Sequence, residues 1–445
     1  MTRLRAALRR LPFAALIAIA ACSRAPSARP PDIVILLADD LGWADVGYHA
    51  SDPARAVATP EIDRLASSGL RLEQFRTSPV CTPSRAGLLT GRSPLRLGLL
   101  GNLGESDPGG IPLSEELLPA AFARAGYATA MVGKWHVGHQ LPEQRPNARG
   151  FERFYGFLTG WIDYSTHQHN GTPDWWRDDR PIREEGYSTR LLADEAVRIL
   201  SEHGRARPLL LYVAFNAPHM PLHVPPGKAL VETAPERRMR ESHGLIVAEL
   251  DRAVGDVLRA IDRGEQAGNT IVFFASDNGA DARYGGSNDP LRDGKNTVFD
   301  GGIRTPAVLA WPRRIGPGSS PVPLSHLDVL PTLAGAAGVA LEPARPLDGR
   351  DRWPELRSGS TDAPVPVAFA VEQGGQRKYA LVAGRWKLVE TPGEAGRIDR
   401  FLFDLAADPR EQRDRTAEEP EKLRELLRLL EPWKAFAASV PRAPR

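Results

Sequence analysis

Four short apolar runs in this chain each end abruptly in charged, amide or imidazole residues. DIVILLADD (32–40) ends in Asp39 and Asp40, and YATAMVGKWH (127–136) ends in Lys134 and His136. PLLLYVAFNAPH (208–219) ends in His219, and NTIVFFASDNG (269–279) ends in Asp277 and Asn278. Continuous apolar runs of this length read as strands buried on both faces, because a half-exposed strand would alternate. Helical patterns lie between them. Thr59-Pro60 opens one as cap and first residue, and Gly69 closes it. Others are expected over 115–125, 187–202 and 236–263, the last with GLIVAELDRAVGDVLRAID at helical spacing. Alternating strands and helices imply an α/β fold with a large, mostly parallel sheet, and such sheets bind ligands beyond the carboxyl ends of their strands. One polar residue after a strand is usually a cap or a turn. Four clusters with complementary chemistry point to a site.

The texture changes near residue 345. KYALVAGRWKLVE alternates like a one-face strand pair, with Ala383-Gly384 as its turn, and RFLFDL suggests another strand. LRELLRLLEPWKAFAAS is an amphipathic helix. The expected division is therefore a catalytic domain over 31–345 and a smaller α+β domain over 346–445, with a short antiparallel sheet and a closing helix.

The N-terminus stands apart from the fold. MTRLRAALRR is basic, and LPFAALIAIAA is apolar but short for a bilayer span. It ends in Ile19-Ala20-Ala21-Cys22, which resembles a bacterial lipobox. On that reading residues 1–22 are a signal, Cys22 carries lipid, and 23–30 form a flexible tether. An ordinary secretory signal is the alternative. Both readings export the chain, to the periplasm or cell envelope. With a formal charge of +2, nothing argues for a nucleic-acid partner. The chain has two cysteines, so an acylated Cys22 leaves Cys81 unpaired in an oxidising compartment.

Asp39, Asp40, Asp277 and Asn278 offer only oxygen ligands, which suits Ca²⁺ first and Mg²⁺ second. Adjacent carboxylates at a strand end repel unless a cation compensates them. The plain alternative is two helix caps and an Asn-Gly turn. Lys134, His136, His219, Lys295 and Arg85 form a second group, suited to the anion of a sulfate or phosphate ester. His139, His243 and His326 read as structural. Pro83 fits the first turn of a helix, placing Cys81 near a helix N-terminus, where the dipole is worth only about 0.3–1 kcal/mol. A thiolate attacking sulfur would leave an adduct with no exit, so an ordinary cysteine explains the site poorly.

CTPSRAGLLTGR (81–92) resembles the first signature of the type I sulfatases, Cys-x-Pro-Ser-Arg followed by Thr-Gly-Arg, and GYATAMVGKWH (126–136) resembles the second. The likeness extends to LLADDLG, AFNAPHMPLH, SDNG and GGSNDPLRDGKNTVFDGGIRTP, in order over roughly 31–315. Its details resemble the arylsulfatase and N-acetylgalactosamine-sulfatase branch. One departure is Asp300 in FDGGIR, where glutamate is common, and it touches a supporting contact. The resemblance implies an alkaline phosphatase-like fold. It implies that a maturation enzyme oxidises Cys81 to Cα-formylglycine, hydrated to a gem-diol. One hydroxyl, held by Ca²⁺ with Asp39, Asp40, Asp277 and Asn278 and deprotonated with help from Asp277, attacks the ester sulfur. His219 or Lys295 protonates the leaving alcohol, His136 takes the second hydroxyl's proton, and collapse to the aldehyde expels sulfate. Arg85 and Lys134 stabilise the hydrate and sulfate oxygens.

Two rivals remain at this stage. A phosphoester or phosphonate hydrolase could use a related site, and relative rates on nitrophenyl sulfate and nitrophenyl phosphate separate the two. A glycan-binding protein on a dead sulfatase should first lose Cys81, a metal aspartate or a sulfate-binding lysine, and none is lost. Family branch and export favour a sulfated sugar as substrate. WIDYSTHQHNGTPDWW (161–176) offers Trp175 or Trp176 to stack on a ring and His167 or His169 to meet hydroxyls, with a packed surface loop as the alternative. Sulfate position, exo or endo action and oligomeric state are not legible.

Overall fold

A computed structural model describes residues 29–50, 56–204, 206–231, 234–360 and 364–439. The signal-like segment and Cys22 lie outside the described residues. The four apolar runs form strands at Asp32–Asp39, Ala128–Lys134, Leu209–Pro218 and Thr270–Ser276. They lie at the centre of a ten-stranded mixed sheet. Asp32–Asp39 runs parallel between Leu209–Pro218 and Thr270–Ser276, and Ala128–Lys134 follows beyond Leu209–Pro218 in the same direction. Antiparallel pairing enters where Ala307–Ala310 joins Thr270–Ser276.

The central strand is buried on both faces, as its unbroken hydrophobicity requires. Ile33, Ile35 and Leu37 enter one core with Leu88, Leu118 and Leu330 from the helices on that side. Val34, Leu36 and Ala38 enter the other with Ile62, Leu192, Ile246 and Leu250. The helices there are Pro60–Ser68, Ser188–Glu202 and Pro235–Arg263. The helix expected over 115–125 is shorter, Leu118–Arg124, because a turn from Pro112 to Glu115 precedes it.

Register decides where the site forms. Asp39 lies opposite Pro218, and Ala38 opposite Ser276, so three strands end level. Gly133 lies opposite Ala214 with φ of +106°, and a Cβ there would sit 1.9 Å from the Ala214 carbonyl oxygen. Only glycine fits the penultimate position of that strand.

Beyond the large sheet, Trp353 and Leu356 still pack into its core. Four antiparallel strands follow, Val367–Gln373, Gln376–Ala383, Trp386–Pro392 and Ile398–Asp404. The hairpin turn falls one residue later than expected. Ala383 pairs with Trp386, leaving Gly384 and Arg385 as the loop, because Gly384 takes the left-handed conformation. The helix Pro420–Ser439 covers one face of this small sheet through Leu426 and Leu430. Its other face packs Phe369, Val371 and Phe403 against Val80, Val298, Phe299 and Ile303. Those last residues flank Cys81 and Lys295, so the small sheet shares a core with the loops of the site.

A buried charge cluster crosses the same boundary. Asp300 pairs with Arg76 at 2.8 Å and with Lys387 of the small sheet at 2.8 Å. Lys387 also meets Glu411 at 2.7 Å, and the Asp300 amide donates to Glu411 at 2.6 Å. Burial opposes the charge on Asp300, but Arg76 and Lys387 hold its carboxyl well below the usual carboxylate range. Removing one partner of such a pair strands the others. Lys387→Met is expected to cost about 3–5 kcal/mol, read as a lower urea midpoint at unchanged slope. A loss within about 0.5 kcal/mol, as for a surface substitution, would contradict this reading.

Candidate active site

Consecutive residues of a strand point to opposite faces. Asp40 breaks that alternation with φ of +66°, and the Asp39 and Asp40 carboxylates both reach one cluster with the Cys81 thiol and the His219 ring. Ligand atoms of these four residues lie within 4.8 Å of one another. His136 also holds a left-handed backbone, φ +55°. Non-glycine residues in this region persist only where their surroundings over-determine them, and they concentrate at functional sites.

Cys81 is the first residue of the helix Cys81–Thr90, with Pro83 in its first turn as expected. It is fully buried, and its thiol donates to Asp39 Oδ1 at 3.4 Å. Burial pushes the thiol well above its ordinary value, against the pull of Lys134 and Lys295. Unmodified, Cys81 is a protonated thiol rather than a nucleophile.

The cations are already engaged. Lys134 Nζ meets Asp39 Oδ2 at 2.7 Å, and Lys295 Nζ meets Asp40 Oδ2 at 2.7 Å. Arg85 donates to Asp277 Oδ2 from Nη2 at 2.8 Å and from Nε at 3.0 Å, and to the Lys134 carbonyl at 3.0 Å. In this structure Arg85 thus holds Asp277. The structure also answers the repulsion of adjacent carboxylates differently: Lys134, Lys295 and Arg85 match Asp39, Asp40 and Asp277 one for one. Burial works to raise the Asp40 carboxyl, yet Lys295 and His219 hold it well below the usual range. Burial, with Asp39 adding to it, raises Asp277 in spite of Arg85.

The two histidines are neutral and differently oriented. Burial and Lys295 push His219 down to about 3, and burial with Lys134 pushes His136 well below its ordinary value. A carbonyl only accepts, so each ring's backbone contact fixes its tautomer. His219 donates from Nδ1 to the Met220 carbonyl at 2.5 Å, leaving the Nε2 lone pair 3.7 Å from Asp40 Oδ2. His136 donates from Nε2 to the Leu103 carbonyl at 3.1 Å. Its Nδ1 is buried without a partner.

Sequence reading missed what supports His136. Thr82 Oγ1 donates to the His136 carbonyl at 2.9 Å and accepts from the Leu103 amide at 3.2 Å. Gly160 leaves room for the ring, since a Cβ there would lie 2.8 Å from its Cε1. Thr82 stands inside the first signature, but nothing local to Leu103 or Gly160 marks them.

The aromatic stretch requires correction. Trp175 is buried, with its ring 4.4 Å from His167 and its indole donating to Glu184. His167 is buried too and donates from Nε2 to the Gly186 carbonyl at 3.1 Å. Both are core residues, because Phe157 and Tyr155 complete their packing. Trp176 is half-buried beneath Arg145 and donates to Asp174. His169, also buried, donates to the Trp161 carbonyl at 2.8 Å, with Glu105 3.9 Å from its other nitrogen. The three histidines read as structural have such partners: His243 on Asp45, His326 on Ser78, His139 on the Glu105 carbonyl.

The residues suit a hard cation. Asn278 donates from Nδ2 to Asp40 Oδ1 at 2.6 Å, while its Oδ1 is buried with no hydrogen-bond partner. That orphaned oxygen belongs to the residue bonded to Asp40, and Asp39, Asp40, Cys81 and His219 form a buried group that could hold a metal ion, Asp277 lying outside that group. Among the described residues, no helix is long and apolar enough to cross a membrane.

The chain is similar to known proteins in sequence and fold. Residues 31–339 match the family model described as Sulfatase. The chain is 31% identical to Arylsulfatase J of Mus musculus over 93% of its own length and 78% of the relative's. It is 35% identical to N-acetylgalactosamine-6-sulfatase of Homo sapiens, over 76% of this chain and 68% of that one. The crystal structure of Ps i-CgsB in complex with k-i-k-neocarrahexaose superposes with a TM-score of 0.83 at 30% identity, covering 92% of this chain and 94% of the other. The PsFucS1 sulfatase from Pseudoalteromonas sp. shares the fold at a TM-score of 0.75 and 23% identity, over 94% and 92% of the two chains. Site and comparisons agree that the chain belongs to the sulfatase family, enzymes that hydrolyse sulfuric esters.

Proposed function

We propose that this sulfatase removes sulfate from a sulfated carbohydrate, using a formylglycine made from Cys81 and a calcium ion. The supporting observation is a buried, protonated thiol set among oxygen donors and two lysines at one sheet edge. The carbohydrate reading draws on the relatives named N-acetylgalactosamine-6-sulfatase and on the neighbour solved with k-i-k-neocarrahexaose.

Hydrated formylglycine supplies an oxygen nucleophile and a route to expel sulfate that a thiol lacks. Asp39, Asp40, Asp277, Asn278 and the Cys81-derived group would hold the calcium ion, which would supply positive charge beside the ester. The chain's residues do the rest. Lys134 and Lys295 hold the sulfate oxygens through their ammonium groups. Asp277, oriented by Arg85, accepts a proton at its carboxylate as the nucleophile attacks. Lys295 Nζ gives a proton to the leaving oxygen; the neutral His219, with its proton on Nδ1, presents only an acceptor at Nε2. His136 accepts a later proton at its unpartnered Nδ1. The chain is exported to the periplasm or cell envelope, with Cys22 carrying lipid.

Cys81→Ala is expected to abolish hydrolysis of 4-nitrophenyl sulfate with an unchanged circular dichroism spectrum. In the active wild type, mass spectrometry of tryptic peptide 77–85 should show aldehyde or hydrate in place of the thiol. An active enzyme carrying only unmodified cysteine would end this reading. Added Ca²⁺ should raise the thermal midpoint, by about 2.7 kcal/mol of stability at a hundredfold excess over Kd. Asn278→Leu should lose most of that rise. No shift with Ca²⁺, or an equal shift in Asn278→Leu, removes the calcium assignment. Finally, Cys22→Ser should move the full chain from the membrane pellet to the soluble fraction, and unchanged partitioning refutes the anchor.

A further inference from the structure

Lys295 sits on a loop whose shape depends on contacts from outside as well as on bonds from Thr297 to the Gly294 carbonyl. Asp293 and Asn296, on either side of Gly294-Lys295, both adopt left-handed backbone, with φ of +59° and +70°. Neither is glycine, so external contacts must over-determine the loop. Its inner side is seated on Gly301-Gly302. A Cβ on Gly301 would lie 2.2 Å from the Asp293 carbonyl oxygen, and one on Gly302 would lie 2.1 Å from that of Thr297. The Lys295 amide donates to the Ala280 carbonyl at 3.1 Å. The Asn296 amide donates to the Pro79 carbonyl at 2.9 Å, on the segment that leads into Cys81.

A further contact comes from the small sheet. Lys378, on the strand Gln376–Ala383, donates from Nζ to the Asn296 carbonyl at 3.1 Å. Lys378 is half-buried and, among the described residues, has no ion pair with a carboxylate. Asn296 is thus held on both sides of its backbone, by the Cys81 segment through its amide and by Lys378 through its carbonyl. A charged donor makes the stronger bond to a carbonyl.

We infer that Lys378 is a positioning residue for sulfate-ester hydrolysis, fixing the Lys295 loop against the Cys81 helix so that Lys295 Nζ stays at the reacting group. The C-terminal sheet thereby takes part in turnover without touching substrate. The inference rests on Lys295 acting at the sulfate. It does not depend on how Cys81 is modified.

Kinetics of the full chain on 4-nitrophenyl sulfate test it. Lys378→Met should lower kcat about tenfold, the scale of a small displacement of a reacting group, with KM and thermal midpoint little changed. Lys378→Arg, which keeps a charged donor, should recover most of the loss. A lower thermal midpoint with normal kcat for the folded enzyme would show a purely structural residue and overturn the proposal. A raised KM at unchanged kcat would show direct substrate contact and also overturn it. Lys295→Met is run in parallel. If it retains kcat, the role given to Lys295 fails and the proposal with it. If it loses activity while Lys378→Met does not, the positioning role alone fails.

Discussion

Three buried carboxylates and three buried cations meet at one sheet edge, and the rest of the site depends on their balance. Asp39, Asp277, Lys134 and Arg85 are all fully buried, where an unpaired charge would be prohibitively costly. Each partner therefore fixes the other. Lys134 holds Asp39 at the end of the central strand, and Arg85 reaches from the Cys81 helix to Asp277 at the end of another. Burial, rather than this pairing, keeps Cys81 protonated and both histidines neutral.

Much of this was legible in the sequence because it is local. Unbroken apolar runs mark strands buried on both faces, and the level register of parallel strands brings their terminal residues together. The division of labour within the cluster is not local. Arg85 and Asp277 are separated by 192 positions, and no periodicity tells an arginine whether it will face a substrate or a carboxylate. Trp175 misleads for a related reason. Tryptophan in a polar loop resembles a sugar platform, but Tyr155 and Phe157 from the preceding strand and His167 from the same loop pack against it. Gly160 and the Leu103 carbonyl orient His136 through shape and backbone, which leave little trace in residue type.

Asp300 ties the small sheet to the large one. It meets Arg76 and Lys387, while Glu411 takes up the Asp300 amide and the second contact of Lys387. The acidic partner from the C-terminal region completes a cluster that belongs to neither part alone. The small sheet is continuous in packing with the loops around Cys81 and Lys295.

That shared core has a consequence in time. A ribosome delivers the Cys81 segment long before it delivers Lys378, Lys387 and Glu411, and domains fold as their residues emerge. Until the last strands arrive, Val80, Val298 and Phe299 lack their packing partners, and the segment around Cys81 cannot be sealed as it is in the finished protein. Docking of the small sheet is therefore the step that closes the segment around Cys81, wherever in the life of the chain it occurs.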